Sequence, residues 1–231
     1  MASTFHDSAQ ADNDASGTTL STADALAVTA GDLVWAGCKW ESPNTPTCTV
    51  DTGGGTTVFT TARAKMTTGW GAYQTFYWIA ESTGTVNPRM VLSAGADGRR
   101  IKAMSFTPDA GLSYTLGNTN EGSGTSSTPS TGSAASTGAA VVIAGFGMFA
   151  SSDLTVGSGW SSPSEFGSQS GNAEYRIESG SGTFTGDGTW DAGVIDWAGQ
   201  INVFNEIALI VGATRIPFVG TFGRNRTRYA M

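Results

Sequence analysis

Few side chains in this sequence have the types and spacing that chemistry requires. The single histidine, His6, lies in a polar N-terminal stretch. A Ser-His-Asp triad would have to use it, and a His-based metal site would lack a second imidazole. Glu174 and Glu178 flank Arg176 at strand period two, which puts all three on one sheet face. Two carboxylates are what glycoside hydrolysis needs, but an aromatic such as Tyr175 belongs to the opposite face. The expectation is a solvent-facing Glu-Arg-Glu ladder held weakly by alternating charge. Asp187, Asp191 and Asp196, with Gly186 and Gly188, offer oxygens to Ca²⁺ but lack EF-hand spacing, so they are read as turn-stabilising. No Walker sequence is present, and Gly53-Gly54-Gly55 does not join a strand to a helix, so it too reads as a turn. Trp70 stands between two glycines, where it can stack on a sugar ring. Trp35, Trp40, Trp78 and Trp197 are expected to fill the core or line the sheet ends. These residues imply no catalytic set, no cofactor and no metal.

Cys38 and Cys48 are the only cysteines. They sit on either side of a turn-like stretch, Glu41-Ser42-Pro43-Asn44-Thr45-Pro46. A disulfide is geometrically possible and would add about 2–3 kcal/mol for so short a loop. Synthesis in a reducing cytoplasm favours free buried thiols instead.

The elements that must position these residues are strands. Glycine is abundant, at 32 of 231 residues, and charged residues make up only 13%. Ser, Thr and Gly occupy positions where a helical protein carries Glu, Lys, Ala and Leu. Leu33–Trp40, Ala72–Ala80 and Ala139–Phe149 are the strongest strand signals, and about a dozen such segments recur at 8–15-residue spacing. No window shows helical periodicity with caps; the nearest, Asn205–Gly212, lacks a polar face. Asn118–Ser136 is Ser/Thr/Gly-rich and is expected to be a long exposed loop. A small-residue stretch, a turn, an apolar strand and a Trp-bearing segment occur twice, opening before Leu33 and at Thr137-Gly138. This weak echo is compatible with the two halves of a jelly roll.

The net charge of −7 argues against nucleic-acid binding, which needs a basic surface. Met1–Asn13 lacks the apolar core of a secretory signal, and no apolar run approaches the length of a membrane helix. The expectation is a soluble protein made in the cytoplasm. Charge is unevenly placed: Asp7, Asp12, Asp14 and Asp24 crowd the N-terminus, while Arg215, Arg224, Arg226 and Arg228 follow the last acid, Glu206.

Across roughly residues 3–205 the sequence resembles jelly-roll domains of tailed-bacteriophage structural proteins and bacterial surface proteins. The residues that carry the likeness are Thr19-Leu20, Ala30-Gly31-Asp32-Leu33-Val34 leading to Trp40, and Gln74-Thr75-Phe76-Tyr77-Trp78. In the second half they are Ala139–Phe146, Gly159-Trp160, Ala173-Glu174-Tyr175 and Trp197–Phe204. The resemblance implies an all-β, two-sheet jelly-roll-type sandwich over 1–206; the irregular C-terminal arm expected over 207–231 has no counterpart in it. It further implies a virion structural protein, foremost a capsid decoration (cement) subunit, and carries over no catalytic residue. Low charge, many Ser and Thr and exposed β edges imply further copies as partners, as trimers on a local three-fold, and the virion setting adds proteins such as the major capsid protein. Arg215, Phe218, Phe222, Arg224, Arg226, Arg228 and Tyr229 are the arm residues expected to grip a neighbour. A carbohydrate-binding receptor or tail-fibre module is the alternative, and a polysaccharide-degrading enzyme the third reading.

Overall fold

The computed structural model describes residues 3–42, 46–54, 57–69, 71–149, 152–166 and 171–209. The described residues are all-β, with most of them in strands. In the N-terminal half the strands are β1 (Thr4–Asn13), β2 (Gly17–Ser21), β3 (Leu26–Val28), β4 (Leu33–Glu41), β5 (Cys48–Asp51), β6 (Thr60–Thr67), β7 (Gly71–Ile79), β8 (Gly84–Val86) and β9 (Arg89–Thr107). The C-terminal half carries β10 (Leu112–Ser126), β11 (Ser130–Ser136), β12 (Ala140–Met148), β13 (Leu154–Val156), β14 (Gly171–Glu178), β15 (Gly182–Trp190) and β16 (Ile195–Ala208). The one helical element among the described residues is a single 3₁₀ turn, Ser164–Phe166. None is long and apolar enough to cross a membrane.

Each half builds its own sheets, all antiparallel. One inner sheet runs β1-β9-β4-β7-β6 and the other β10-β16-β12-β14. The long β9 changes partners along its length. Its start pairs with β2 and β5 on the outside of the fold, and its end pairs with β1 and β4 within the inner sheet. The chain turns between these legs near Gly98, whose φ of +50° a side chain rarely adopts. The short β3–β8 ladder and, in the other half, the β11-β15-β13 sheet complete the outer layers.

Three apolar cores follow from this layering. Leu33 and Trp35 on β4, with Met104 and Phe106 on β9, face Val141 and Ile143 on β12 and Phe204 on β16 across the inner sheets. The opposite face of β4, from Val34 to Trp40, packs under Leu26, Val50, Met90 and Leu92. That of β12, from Val142 to Met148, packs under Leu154, Phe184 and Trp190. The inner strands are therefore covered on both faces, which is why Leu33–Cys38 and Ala139–Phe149 are continuously apolar rather than alternating. Each large side chain buried this way contributes about 1.5–3 kcal/mol. Gly37 and Gly145 meet where the two inner sheets approach, and a Cβ on either would overlap the Tyr73 hydroxyl.

Two expectations are corrected here. Residues 118–136 are not a long loop: β10 continues through Ser126 along β16, and β11 pairs with β15. The Ser/Thr/Gly composition reflects close packing. A Cβ at Gly122 would overlap the Ser130 carbonyl, and one at Gly124 would touch the Trp197 ring. Residues 207 and 208 do not belong to an arm, because Ile207 and Ala208 pair with Ser113 and Leu112.

Candidate functional site

One group of buried charged side chains lies at the interface between the inner sheets. Lys39 stands on β4 and Arg100 and Lys102 on β9, all three buried. Alternation turns all three toward the other half, where Leu33, Trp35, Met104 and Phe106 also point. Lys39 bonds Glu41, and Lys102 bonds Gln10 with Asp12 at 3.5 Å. Arg100 lies 3.2 Å from Asp12 and 2.5 Å from Asp14. Aromatic faces from the C-terminal half close the cluster: Lys39 Nζ is 5.2 Å from the Phe149 ring centre and Lys102 Nζ 5.7 Å from that of Phe166. Burial pulls both ammonium groups below their ordinary pKa, against the opposing pull of Glu41 and Asp12. The Arg100 guanidinium holds the Asp14 carboxyl below the usual carboxylate range. Every cation is matched by an acid, so the cluster orients and locks strands rather than presenting a free charge. Its sequence signal is a lysine inside the apolar run Leu33–Trp40 and basic residues on inward positions of Arg99–Thr107.

The second ionisable centre is Glu174, and it departs from the ladder expected of it. Glu174, Arg176 and Glu178 do share a face of β14, but Glu174 is fully buried. Its Oε2 accepts from Gly157 N at 3.1 Å and its Oε1 from Asp187 N at 2.9 Å. The carboxyl thus ties β14 to the chain after β13 and to β15. Burial pushes its pKa up to about 8, although the two amides and Arg176 pull the other way and Asp187 adds to the rise. Arg176 is half-exposed, bonds Glu178 at 2.7 Å, and lies over the rings of Trp160 and Phe184. A shallow groove of 460 Å³ adjoins, lined by Thr128, Pro129, Ser130, residues 155–158 and residues 187–189. Glu174 does not open into it. With both oxygens engaged by backbone amides, the carboxyl is placed to clamp strands and not to reach a substrate.

The remaining candidates are dispersed. His6 Nδ1 meets the buried Asp32 at 2.7 Å, which also accepts from Thr29 N, so the pair fastens β1 to the turn before β4. Asp187 lies on β15 and Asp196 on β16, where Asp196 bonds Thr125. Asp191 follows β15 and its amide bonds the Asp153 carbonyl. Among the described residues no group of three or more His, Cys, Asp or Glu is placed to hold a metal ion. Cys38 and Cys48 are free and buried, and the Cys48 thiol donates to the Thr49 carbonyl at 3.7 Å. Burial drives the Cys38 thiol well up. Trp35, Trp40, Trp160, Trp190 and Trp197 are buried, and Trp78 is half-buried against Phe59. Trp70 and the arm residues Arg215, Phe218, Phe222, Arg224, Arg226, Arg228 and Tyr229 lie outside the described residues.

Comparison with protein-family models, with curated proteins and with solved structures found no match to this chain.

Proposed function

We propose that this chain is a non-enzymatic structural subunit of a virus particle, foremost a decoration subunit of a bacteriophage capsid, and that it acts through protein–protein contacts. The observation that carries the reading is the segregation of charge. Residues 1–209 hold all 19 acids and 8 of the 12 Lys and Arg, a formal charge of 8 − 19 = −11; residues 210–231 hold four Arg and no acid, +4. An acidic body with a basic, aromatic-bearing extension is complementary to other copies of itself. An arm reaching the next copy's body is a heterologous contact, which makes a ring where the rotation closes, and three copies is the number we propose. Firm packing on both sides of the inner sheets and a paired charge cluster suit a rigid building block. The same arm residues would reach the major capsid protein, and the particle would be the protein's location.

A jelly-roll winding belongs to this proposal in a revised form. In that winding one sheet takes the first, eighth, third and sixth strands and the other the second, seventh, fourth and fifth. The order β10-β16-β12-β14 with β11-β15-β13 supports one such unit in the C-terminal half, and β1-β9-β4-β7 with β2, β5 and the start of β9 supports another. The reading is therefore two jelly-roll units, not one spread over 1–206. Burial of five of the six described tryptophans gives the carbohydrate-binding alternative no support.

The test is removal of residues 215–231. The shortened chain is expected to keep its melting temperature and its strand signal in circular dichroism, yet to sediment as monomer and to lose particle binding. Retained assembly at physiological salt would overturn the proposal.

A further inference from the structure

The inner sheets of Thr4–Thr107 and Leu112–Ala208 repeat each other in strand order, down to residue register. In each inner sheet the first strand pairs with the last, the last with the long central one, and that with the next inner strand: β1-β9-β4-β7 and β10-β16-β12-β14. One cross-strand row in the N-terminal half reads Phe5–Phe106–Leu33–Ile79. Its counterpart reads Leu116–Phe204–Val141–Ile177. The next row is Met104–Trp35–Tyr77 in one half and Asn202–Ile143–Tyr175 in the other. A register shift interrupts the first strand directly after Phe5, and the same shift follows Leu116. Matched in this way, Val34, Ala36, Gly37, Tyr77, Ile79 and Phe106 meet identical residues at Val142, Ala144, Gly145, Tyr175, Ile177 and Phe204. The outer layers follow suit, with β2 and β5 flanking the start of β9 as β11 and β13 flank β15.

The packing of the halves obeys the same correspondence. In a two-fold arrangement, a contact between residue i of one unit and j of the other implies its mirror, j with i. Phe106 of the first half meets Tyr175 of the second edge-on at 5.2 Å between ring centres. Their counterparts, Phe204 and Tyr77, meet at 5.3 Å. The connections agree as well. The first unit runs into the second through residues 108–111, while Ser3 at the start of the first bonds Glu206 near the end of the second.

We infer that the chain is an internal duplication: two copies of one β unit joined through a self-complementary face, so that the inner sheet of each unit is a docking surface whose partner is a second copy of that unit. Short register matches arise in any antiparallel sheet. A shared strand order, a shared register shift and reciprocal aromatic contacts together do not. Where the copies differ, the first has specialised: Lys39 and Lys102 stand where the second has Gly147 and Gln200, so the charged cluster belongs to one unit alone. The inference concerns the body and is independent of the assembly role proposed for the arm.

Double-mutant cycles on the full chain test it. Tyr77→Leu with Phe204→Leu and Tyr175→Leu with Phe106→Leu are expected to give couplings that agree within about threefold in the unfolding constant, the scatter usual for such cycles. A coupling at one pair and none at the other would overturn the duplication. A protease site inserted into residues 108–111 of the full chain supplies a second measurement if a leucine variant does not fold. After cutting, the two fragments should co-elute one to one and unfold in a single transition. Separation under native conditions would refute a self-complementary face.

Discussion

Glu174 shows how a residue's neighbours reverse its sequence-level role. On period alone it belongs to a charged surface ladder, yet two backbone amides and full burial make it a clamp. Its folded pKa of about 8 stands above the ordinary 4.5, so between those values the folded state holds a proton that the unfolded state has released. Stability from this group is therefore fully present below the unfolded pKa and is lost as pH rises through 8, by an amount on the order of 4 kcal/mol. Urea unfolding from pH 5 to 8 should show that decline in the native chain and a much flatter profile in Glu174→Gln. At pH 5, Glu174→Ala leaves two buried amides without an acceptor and should cost about 2–4 kcal/mol. The cysteines make a second prediction at this scale. Because Cys38 is buried and its thiol pKa is driven up, it should react with a thiol reagent orders of magnitude more slowly in the native chain than in urea.

At the scale of elements, β10 is the segment whose composition misleads. Leu112–Ser126 carries few large apolar residues because one side lies against β16 and the chain folds back closely into β11. Glycine there permits backbone approach and does not mark a loop. Gly122→Val should therefore cost about 1–3 kcal/mol in unfolding free energy, as overpacking does, whereas an exposed loop would tolerate it within about 0.5 kcal/mol. Amides of Glu121–Thr125 that bond to β16 should exchange with the slow, global rate of the core and not within seconds. β4 makes the converse point. Its sequence is one of the strongest strand signals, and the two covering layers that bury it come from β9 and β12, distant in sequence.

For the whole molecule, the decisive features are two inner sheets packed face to face and a charge that changes sign along the chain. If the arm works through its arginines, association of the full chain should weaken as salt rises from 0.05 to about 0.5 M, because the Debye length falls below typical ion-pair reach across an interface. Sedimentation velocity across that range checks it. A salt-independent oligomer would place the contact on apolar body surface instead. Such a contact would draw on the large apolar side chains exposed among the described residues, Val58, Val194, Ile207 and Leu209.

By itself the sequence determined the all-β class, most strand positions, the core roles of Trp35, Trp40 and Trp197, and the asymmetry of charge. These are local properties: side-chain period, turn residues and composition act over a few neighbours. A weak echo of two similar blocks, opening near Leu33 and at Thr137, was visible as well. Only the tertiary structure decided that two inner sheets face one another. It also decided that Glu174 is inside, that Lys39, Arg100 and Lys102 meet Asp12, Asp14 and Glu41, and that residues 118–126 form a strand. Each of these depends on partners far away along the chain. A β-strand's period tells which residues share a face, while the layer that covers that face is set by long-range pairing.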